Sequence, residues 1–413
     1  MKCSQDTEIY LELKPGIVTI ESSKEPMPPN ELEKRVTELL SPEKLKSLLD
    51  PKSDVLILTD DHTRGTPVKL VLPYLLESLR RLNILYDQIT VLVATGTHRK
   101  MTAEEIEEKL GAFSKMVNII QHSCFEDLTY LGDIDGIPVS VNKIVASSQN
   151  VIGIGSIIPH KYSGWSGGAK IICPGVCDYE TIYLSHERSI LIEVIEPGQH
   201  ENWFRHFMDS VARNVKLRMI INFIPNMNGI SDVVIGPLES AFRQGIVKAE
   251  NCLLRKLKNC ADMTIISAYP STKDFWQTGK AFYTGDLVTE TGGEIIVVSP
   301  LSDGLGDHHK YLNLLQYNIE DLLDAMNKRL IEDPLAAVAA VATKRILREK
   351  KITLLTTNKN FENKRIDNLK IVSMSIREIE EYLNELLRKM HNKCKILIVG
   401  DSYVLPRVGG EHT

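Results

Sequence analysis

Three short polar clusters in this chain carry residue types suited to proton transfer. They are Asp60-Asp61-His62-Thr63-Arg64, Gly96-Thr97-His98-Arg99 and Pro159-His160. Imidazole gains and loses a proton near neutral pH, so two histidines on opposite sides of a substrate can remove one proton and return another. We take His98 and His160 as a candidate acid/base pair. The alternative is that each is a hydrogen-bonded bystander, as a single histidine after a strand usually is.

A glycine-rich segment from Gly164 to Lys170 invites comparison with a phosphate loop. That loop reads G-x-x-x-x-G-K-[ST], but here Ala169 replaces the second glycine and Ile171 replaces the hydroxyl residue. A nucleoside-triphosphatase function is therefore disfavoured. Gly167 and Gly168 still allow a phosphate or a ring to approach the backbone closely. Lys170 enters an apolar stretch, where a lysine can serve as a nucleophile, so we predict a functional lysine.

Other residues are candidates with open alternatives. Arg64 could hold a carboxylate bidentately, or pair locally with the acids beside it. Gln277 and Lys280 lie one helical turn apart and would face the same way, toward an anionic substrate or toward solvent. His186, in "YLSHERS", could be a metal ligand or a helix cap.

Composition excludes several classes of protein. The 413 residues include 43% hydrophobic and 25% charged residues, and the net charge of -5 argues against nucleic-acid binding. The N-terminus lacks the apolar core of a signal peptide, and no apolar run is long enough to span a membrane. Seven scattered cysteines suit reduced thiols, so we expect a cytoplasmic protein. The sequence contains no H-E-x-x-H motif, which argues against a zinc hydrolase.

The elements that position these clusters alternate between strand and helix patterns. Buried strands are predicted in "SDVLILTDD", "DQITVLVATGTHR", "NVIGIGSII" and "VKLRMIINFIPN". Thr102 and Glu105 predict a capping box, with Gly111 as the helix stop. This alternation predicts an α/β fold with a largely parallel sheet. Ligands bind beyond the carboxyl ends of such strands, which is where all three polar clusters fall.

A second α/β block begins near Ala261, with strands in "DMTIISAY", "GEIIVVSP", "KITLLTTN", "LKIVSMSI" and "KILIVGDS". We therefore predict two α/β domains with mainly parallel sheets, residues 1–260 and 261–413. The segment "SAFRQGIVKAENCLLRKLKNC" is expected to form a helix that links them.

Taken in order, the motifs resemble those of the nickel-dependent lactate racemase family. The matching pieces are "DDHTRGTP", "GTHR", "PH" followed by "SGGAKIICPG", "SHERS", "DFWQTGK" and "SDGLG". The resemblance covers nearly the whole chain. It implies an active site in the cleft between the two domains and an isomerase that racemises or epimerises a 2-hydroxy acid.

The resemblance also implies a role for each residue. The family carries a nickel-pincer nucleotide (pyridinium-3-thioamide-5-thiocarboxylic acid mononucleotide) that binds nickel through two sulfurs and one ring carbon and that is made by dedicated cofactor-biosynthesis enzymes. Lys170 would link to it covalently and His186 would be a nickel ligand. His98 and His160 would be the acid/base pair. The remaining family positions correspond to Arg64, Gln277 and Lys280 for the substrate, and to Asp61, Thr63, Gly167 and Gly168 for the cofactor.

Two segments depart from the family pattern. Lactate racemases tend to read Phe-Phe-Ala-Gly-Phe-Ser-Gly-Gly-Arg-Lys where this chain has "KYSGWSGGAK", and many relatives carry Asn-Pro-x-His where this chain has "EPGQHENW". The added polar groups suggest a larger or more hydroxylated 2-hydroxy acid than lactate. A sugar-acid (aldonate) 2-epimerase with the same cofactor and a non-catalytic nucleotide- or cofactor-binding protein are the rival functions.

Overall fold

A computed structural model of the chain describes residues 1–4, 6–22, 25–192, 196–361, 364–390 and 394–409. The strands are β1 (Val18–Ile20), β2 (Val55–Asp60), β3 (Ile89–Ala94), β4 (Asn118–Gln121), β5 (Leu128–Ile134), β6 (Ile137–Asn142), β7 (Asn150–Ser156), β8 (Pro159–His160), β9 (Gly164–Trp165), β10 (Leu217–Asn226), β11 (Gly229–Gly236), β12 (Leu254–Leu257), β13 (Ala261–Ser267), β14 (Thr289–Val298), β15 (Lys351–Thr356), β16 (Lys364–Ile366), β17 (Leu369–Ser373), β18 (Ile396–Val399) and β19 (Leu405–Val408).

The helices are α1 (Pro29–Leu39), α2 (Pro42–Leu48), α3 (Val68–Arg81), α4 (Ala103–Leu110), α5 (Lys143–Ser147), α6 (Tyr179–Ile192), α7 (Trp203–Asn214), α8 (Leu238–Leu253), α9 (Phe275–Asp286), α10 (Tyr311–Leu314), α11 (Ile319–Asn327), α12 (Pro334–Glu349) and α13 (Ile376–Lys389). Short 3₁₀ helices lie at Tyr86–Gln88, Gly111–Lys115 and Gly168–Ile171. The predicted capping box of α4 is present, and the helix ends at Gly111 with φ of 69°.

The chain divides into two compact units, Lys24–Cys252 and a second unit that joins Met1–Ser23 to Leu253–Thr413. In the first unit the strands form a sheet in the order β11-β10-β7-β2-β3-β4, in which all neighbours are parallel except β10 and β11. The apolar run of β2 is buried because a central parallel strand is covered on both faces.

The core of the first unit lies between this sheet and the first helices of the chain. Val71, Leu75 and Leu79 lie one turn apart along α3 and pack in the same cluster as Ile57 of β2 and Val91 of β3. This spacing is the helical period that buries one face of a helix against a sheet. The packing fixes strands β2 and β3, whose carboxyl ends carry Asp60 and the turn that holds His98.

The second unit contains the sheet β1-β18-β13-β14-β15-β17-β16, in which all neighbours are parallel except β16 and β17. Two α/β units with mainly parallel sheets confirm the predicted fold class. The division differs from the expected one in two ways. The N-terminal residues belong to the second unit, because β1 pairs with β18, and Cys3 and Ile9 are buried beside Ile265.

The second difference concerns the segment that was expected to link the two units as a helix. The expected helix ends at Leu253, and the chain continues as β12, which pairs in parallel with β19. The units therefore change at Cys252 and Leu253, some residues before the expected boundary at 260 and 261. None of the helices in the described ranges combines the length and the apolar character needed to cross a membrane.

Candidate active site

The candidate residues of the first unit gather where three neighbouring strands end. Strands β7, β2 and β3 lie side by side, and each is followed by one of the three polar clusters. The turns are joined directly, because Thr66 Oγ1 lies 2.8 Å from Ser156 Oγ at the end of β7. The amide of Gly96 donates to the carbonyl oxygen of Gly175 at 2.9 Å, which links the turn after β3 to the segment after Lys170.

His98, which is half-buried, and Asp61, which is buried, form a hydrogen-bonded pair. His98 Nδ1 donates to Asp61 Oδ2 at 2.7 Å. The other carboxylate oxygen accepts from the Thr63 amide at 2.8 Å and from Thr63 Oγ1 at 2.5 Å. A carboxylate that accepts from Nδ1 orients the ring and leaves a lone pair on Nε2 of the neutral imidazole, which suits His98 for general-base work.

The Asp61 carboxylate is held in its charged form. Burial alone would raise its pKa, but the charge and hydrogen bond of His98, the charge of Arg64 and the hydrogen bond from Thr63 outweigh burial and hold the pKa well below its usual value. Asp61 is therefore an anion throughout the neutral range. Its charge stabilises an imidazolium at His98.

Lys109, which the sequence did not single out, organises the turn after β2. Its ammonium donates to Asp60 Oδ1 at 2.6 Å and to the carbonyl oxygens of Asp61 and Arg64, both at 2.8 Å. Burial raises the pKa of Asp60, and the charge of Lys109 and a hydrogen bond from Thr66 oppose that rise. In the sequence, Lys109 looks like one of the charges of an exposed acidic and basic helix, so no local signal marks it.

Arg64 lies beside the His98–Asp61 pair. Its Nη1 donates to Thr63 Oγ1 at 2.8 Å, so the guanidinium continues the network that begins at His98. The alternative interpretation, a local ion pair between Arg64 and the acids beside it, is not tested by this hydrogen bond to a hydroxyl. The predicted contact of Arg64 with a substrate carboxylate stays a prediction.

The glycine-rich segment folds tightly against the sheet. Gly167 and Gly168 have φ of 79° and 58°, a region that L side chains rarely adopt. The Gly168 amide donates to Asn222 Oδ1 on β10 at 2.8 Å, and a Cβ on Gly168 would lie 2.8 Å from the ring of Phe242. Both glycines are thus required by φ and by close packing within the protein.

Lys170 lies in the 3₁₀ helix Gly168–Ile171 and is half-buried. The residues around it anchor the segment. Ala169 and Ile172 are fully buried, and a Cβ on Gly153 of β7 would lie 2.8 Å from Ile171 Cγ2. One of the two replacements that disfavour a phosphate loop, isoleucine for a hydroxyl residue, therefore packs this segment onto the sheet.

Arg205 of α7 holds the same loop from its other side. Its guanidinium donates to the carbonyl oxygens of Trp165 and Gly167 and lies 4.3 Å from the centre of the Phe242 ring. Burial lowers its pKa to about 10, while Asp209 and other acids act in the opposite direction. Arg205 remains a cation at neutral pH. Arg205 is not among the residues predicted from the sequence, although its place among the apolar residues of an amphipathic helix is a signal of burial.

His160 lies in a short hairpin in which β8 pairs with β9. Its Nδ1 accepts from the backbone amides of Tyr162 and Ser163, both at 3.3 Å, and lies 3.0 Å from Ser163 Oγ. The ring is thus oriented by its own turn, unlike that of His98, which is oriented by a carboxylate.

Tyr162 lies between His160 and the predicted metal ligand His186. Its ring centre is 6.0 Å from that of His160 and 5.4 Å from that of His186, both at steep angles. His186 also packs edge-on against Phe204 at 4.8 Å, and its Nδ1 donates to the Ile182 carbonyl oxygen at 2.7 Å. The structure therefore brings His160 and His186 into one aromatic row.

The two segments that depart from the family pattern contact each other. Trp165 Nε1 donates to the Gly198 carbonyl oxygen at 3.0 Å, and the Gly198 amide donates to the Gly164 carbonyl oxygen at 2.7 Å. A Cβ on Gly164 would lie 1.9 Å from the Gln199 carbonyl oxygen. Trp165 and Ser163 are fully buried, so these two side chains stabilise the loop and do not face a substrate. In "KYSGW", Lys161 and Tyr162 remain the candidates for substrate contact.

Gln277 and Lys280 belong to the other unit, on α9. As their spacing predicts, they touch: Lys280 Nζ donates to Gln277 Oε1 at 3.1 Å and to Ser271 Oγ at 3.3 Å. Gln277 is buried, and Asp274 caps the helix by accepting from its amide. Their predicted role toward a substrate stays a prediction.

Within the described ranges, no group of three or more His, Cys, Asp or Glu side chains is arranged to hold a metal ion. Cys173 and Cys177 are both buried, and burial and the neighbouring Cys173 raise the pKa of Cys177 well above its usual value. The Cys177 thiol is therefore protonated at neutral pH.

A parallel α/β sheet with a carboxylate–histidine pair and a buried glycine–lysine loop at its carboxyl edge is the arrangement of an α/β enzyme. Comparison with known proteins narrows this class. Residues 4–195 match the model of the lactate racemase N-terminal domain. The lactate racemase of Lactiplantibacillus plantarum is 30% identical over 295 residues, 68% of each chain. That of Thermoanaerobacterium thermosaccharolyticum is 28% identical over 337 residues, 77% of each chain.

Solved structures agree with these sequence matches. The lactate racemase apoprotein of Thermoanaerobacterium thermosaccharolyticum superposes with a TM-score of 0.78 at 25% identity and covers 95% of both chains. A Thermotoga maritima protein shares the fold with a TM-score of 0.73 at 19% identity, covering 94% of this chain and all of that one. The chain belongs to the lactate racemase family, a family of isomerases.

Proposed function

We propose that this chain racemises or epimerises a 2-hydroxy acid with a nickel-pincer nucleotide linked to Lys170. The principal support is the hydrogen bond of 2.7 Å between His98 and the buried Asp61, joined to the lysine segment through the bond from Gly96 to Gly175. A protein that only stored a cofactor would not need a general base oriented by a buried carboxylate. The arrangement therefore favours catalysis over the rival carrier function.

The donor set of the described residues fits this cofactor. They offer no cluster of three ligands, so a nickel ion would need donors that the nucleotide brings with it. His186 is suited to add one ligand, because its Nδ1 proton is engaged by the Ile182 carbonyl oxygen and its Nε2 carries the lone pair. When bound, the nucleotide supplies a ring that accepts hydride reversibly from the substrate α-carbon.

Each residue then has a defined task. Lys170 holds the nucleotide covalently, while Gly167 and Gly168 let the loop lie close against Asn222 and Phe242. His98 moves the proton of the substrate hydroxyl, with Asp61 and Thr63 setting its orientation. His160 faces the substrate as the second histidine.

Three residues are assigned to the substrate carboxylate. Arg64 can engage it bidentately, and Gln277 and Lys280 add a donor and a positive charge. Holding the carboxylate keeps the α-carbon in one place while both faces of the planar 2-keto acid remain available.

The test begins with attachment of the cofactor. The chain and its Lys170→Arg variant are each produced together with the family's cofactor-assembly enzymes, and intact mass and nickel content are measured. We expect an adduct that maps to Lys170, and nickel, in the parent chain only. His186→Ala should keep the adduct and lose nickel. An unmodified parent chain that still racemises substrate would contradict the proposal.

The substrate is tested on the modified chain. Lactate, malate, phenyllactate and aldonic acids are offered separately, and the appearance of the opposite configuration at carbon 2 is followed by chiral chromatography. We expect faster turnover of the more hydroxylated acids than of lactate, because Tyr162 adds a hydroxyl group where the family pattern has Phe, in the row with His160 and His186. Fastest turnover of lactate would reject that expectation and leave the racemase function intact. A strict preference for aldonates would identify the sugar-acid epimerase.

A further inference from the structure

Arg205 is a buried cation whose hydrogen bonds go to the backbone of the glycine-rich loop. Its guanidinium donates to the carbonyl oxygen of Trp165, and Nη1 donates to that of Gly167 at 3.4 Å. The Asp209 carboxylate lies 3.9 Å from Nη1, too far for a hydrogen bond. Burying a cation is costly, and an apolar residue of similar volume is often at least as stabilising. The guanidinium is therefore better explained by the two carbonyl groups that it fixes in place.

The Gly167 carbonyl oxygen connects Arg205 to Lys170. The backbone amide of Lys170 donates to this oxygen at 3.2 Å, so the guanidinium and the lysine share one acceptor. The next residue, Gly168, is held separately, because its amide donates to Asn222 Oδ1 at 2.8 Å. The start of the 3₁₀ helix that carries Lys170 is thus fixed at consecutive residues, by α7 and by β10.

The residue before Arg205 contacts the predicted nickel ligand. The ring of Phe204 packs edge-on against that of His186 with 4.8 Å between their centres. Consecutive residues of a helix project about 100° apart, so one turn of α7 reaches both the loop and α6. That turn is fixed by its cap, because Asn202 Oδ1 accepts from the Arg205 amide at 2.8 Å. The first turn of α7 therefore contacts the segment of Lys170 and the ring of His186 at the same time.

We infer that the first turn of α7 sets the spacing between the two predicted attachment points of the nucleotide, with Arg205 as a positioning residue for Lys170 and Phe204 as one for His186. The inference rests on the proposed function for the identity of these points, but the anchoring of the loop belongs to the protein alone. One planar ring system would be tied at both points, so a change in their spacing would displace it from the substrate. A misplacement of about 1 Å can cost about 10²-fold in rate.

The first test needs no cofactor. Hydrogen exchange of the full-length apoprotein is followed by mass spectrometry in Arg205→Met, Arg205→Lys and a control, Arg213→Met. Arg213 lies on the same helix but pairs with Glu239 on the surface. We expect Arg205→Met to speed exchange in residues 164–173 by about 10- to 100-fold, the contribution of a charged hydrogen bond to local opening, and to leave strand β3 at the parent rate. Arg205→Lys keeps the charge and should fall between, and Arg213→Met should match the parent.

Two results of the exchange experiment would overturn the inference. One is an unchanged exchange rate of residues 164–173 in both Arg205 variants. The other is equal acceleration of these residues and of strand β3, which would mean that Arg205 only stabilises its unit as a whole. If Arg205→Met does not fold, Arg205→Lys carries the same comparison, because it retains the buried charge but lacks the planar fork that reaches two carbonyl groups.

The second test uses chains produced together with the cofactor-assembly enzymes. For Arg205→Lys we expect a smaller fraction of adduct on Lys170 and a kcat per mole of adduct lower by at least about tenfold, with KM little changed because the carboxylate-binding residues are untouched. Phe204→Leu should keep the adduct and lose nickel to a chelator faster than the parent chain does. Phe207→Leu is its matched control, because Phe207 is also fully buried on α7 but packs on Trp203, and it should lose nickel at the parent rate.

The outcomes of the second test are distinct. Equal rates of nickel loss in Phe204→Leu and Phe207→Leu would reject the positioning role of Phe204. An Arg205→Lys chain with the parent fraction of adduct and the parent kcat would reject that of Arg205. A parent chain without an adduct on Lys170 would reject the proposed function, whereas the exchange experiment on the apoprotein would still decide whether α7 anchors the loop.

Discussion

The carboxylate of Asp61 accepts from His98 Nδ1 at 2.7 Å, although the two residues lie 37 positions apart. They meet because β2 and β3 are parallel neighbours in register from Val55 with Ile89 to Asp60 with Ala94. The turn after each strand therefore starts at the same height above the sheet. Apolar pairing along the two strands thus fixes the distance between two polar side chains beyond their ends.

Replacing Asp61 by Asn should impair proton transfer more than it impairs folding. Asn is nearly isosteric and can still accept from Thr63, but its amide would direct an N–H or a weak acceptor at His98 and disturb the tautomer. We expect turnover to fall by roughly 10³–10⁴, as for loss of the carboxylate in other histidine–aspartate pairs, and unfolding free energy to fall by about 1–3 kcal/mol.

Racemisation rates and denaturant unfolding measure these two effects. Asp133→Asn, on the exposed strand β5, is the control and should change neither. A fully active Asp61→Asn protein would mean that the carboxylate does not support His98.

At acidic pH, the free energy of unfolding should depend on the charge of Asp61. Its folded-state pKa is lowered, so the unfolded chain takes up a proton first as the pH falls. The stabilisation is fully present above the unfolded value of about 3.9 and is lost as the pH falls through that value toward the folded pKa. We expect the difference in unfolding free energy between the parent and Asp61→Asn to be steady near pH 5 and to shrink toward pH 3. Urea unfolding across this pH range measures the difference in unfolding free energy. If that difference grows as the pH falls, the folded-state pKa of Asp61 is raised and not lowered.

Lys109 should be essential for the turn after β2. Lys109→Met leaves the buried Asp60 carboxylate without its cation and two carbonyl oxygens without their donor. Removing one partner of a buried pair costs about 3–5 kcal/mol. Lys115→Met is the matched control, since Lys115 pairs with Glu107 on the exposed surface, and should cost little or nothing. Equal stability of the two variants in denaturant unfolding would show that the network around Lys109 contributes no more than a surface pair.

The sequence predicts the strands, the ends at which the site lies and the capping box of α4, because each depends on a local pattern. It does not predict that Lys109 is buried, since a lysine in a charged helix has the same local pattern whether it faces solvent or a carboxylate. It also misassigns Met1–Ser23, because the pairing of β1 with β18 joins residues far apart in the chain, such as Val18 and Leu397. The sequence marks Trp165 only as part of a segment that departs from the family pattern, and the three-dimensional contact with Gly198 reveals its structural role.

The contact between the two atypical segments gives a prediction about Gly164. Gly164→Ala places a Cβ at 1.9 Å from the Gln199 carbonyl oxygen and on a residue with φ of 68°. Gly132→Ala is the matched control, because Gly132 has φ of 111° with nothing within 4 Å of the added Cβ, so it has the strain without the clash. The control should lose about 1–3 kcal/mol of unfolding free energy from strain.

Gly164→Ala should lose distinctly more than the control, because the 196–199 segment must move away from Trp165 to make room. The shift should reach His160, whose partner across the hairpin is Gly164, and should lower racemase turnover in Gly164→Ala only. Denaturant unfolding and chiral turnover assays on both variants test this. Equal losses of unfolding free energy in the two variants would mean that the 196–199 segment moves aside without destabilising the fold. The contact between the two atypical segments would then contribute nothing to stability.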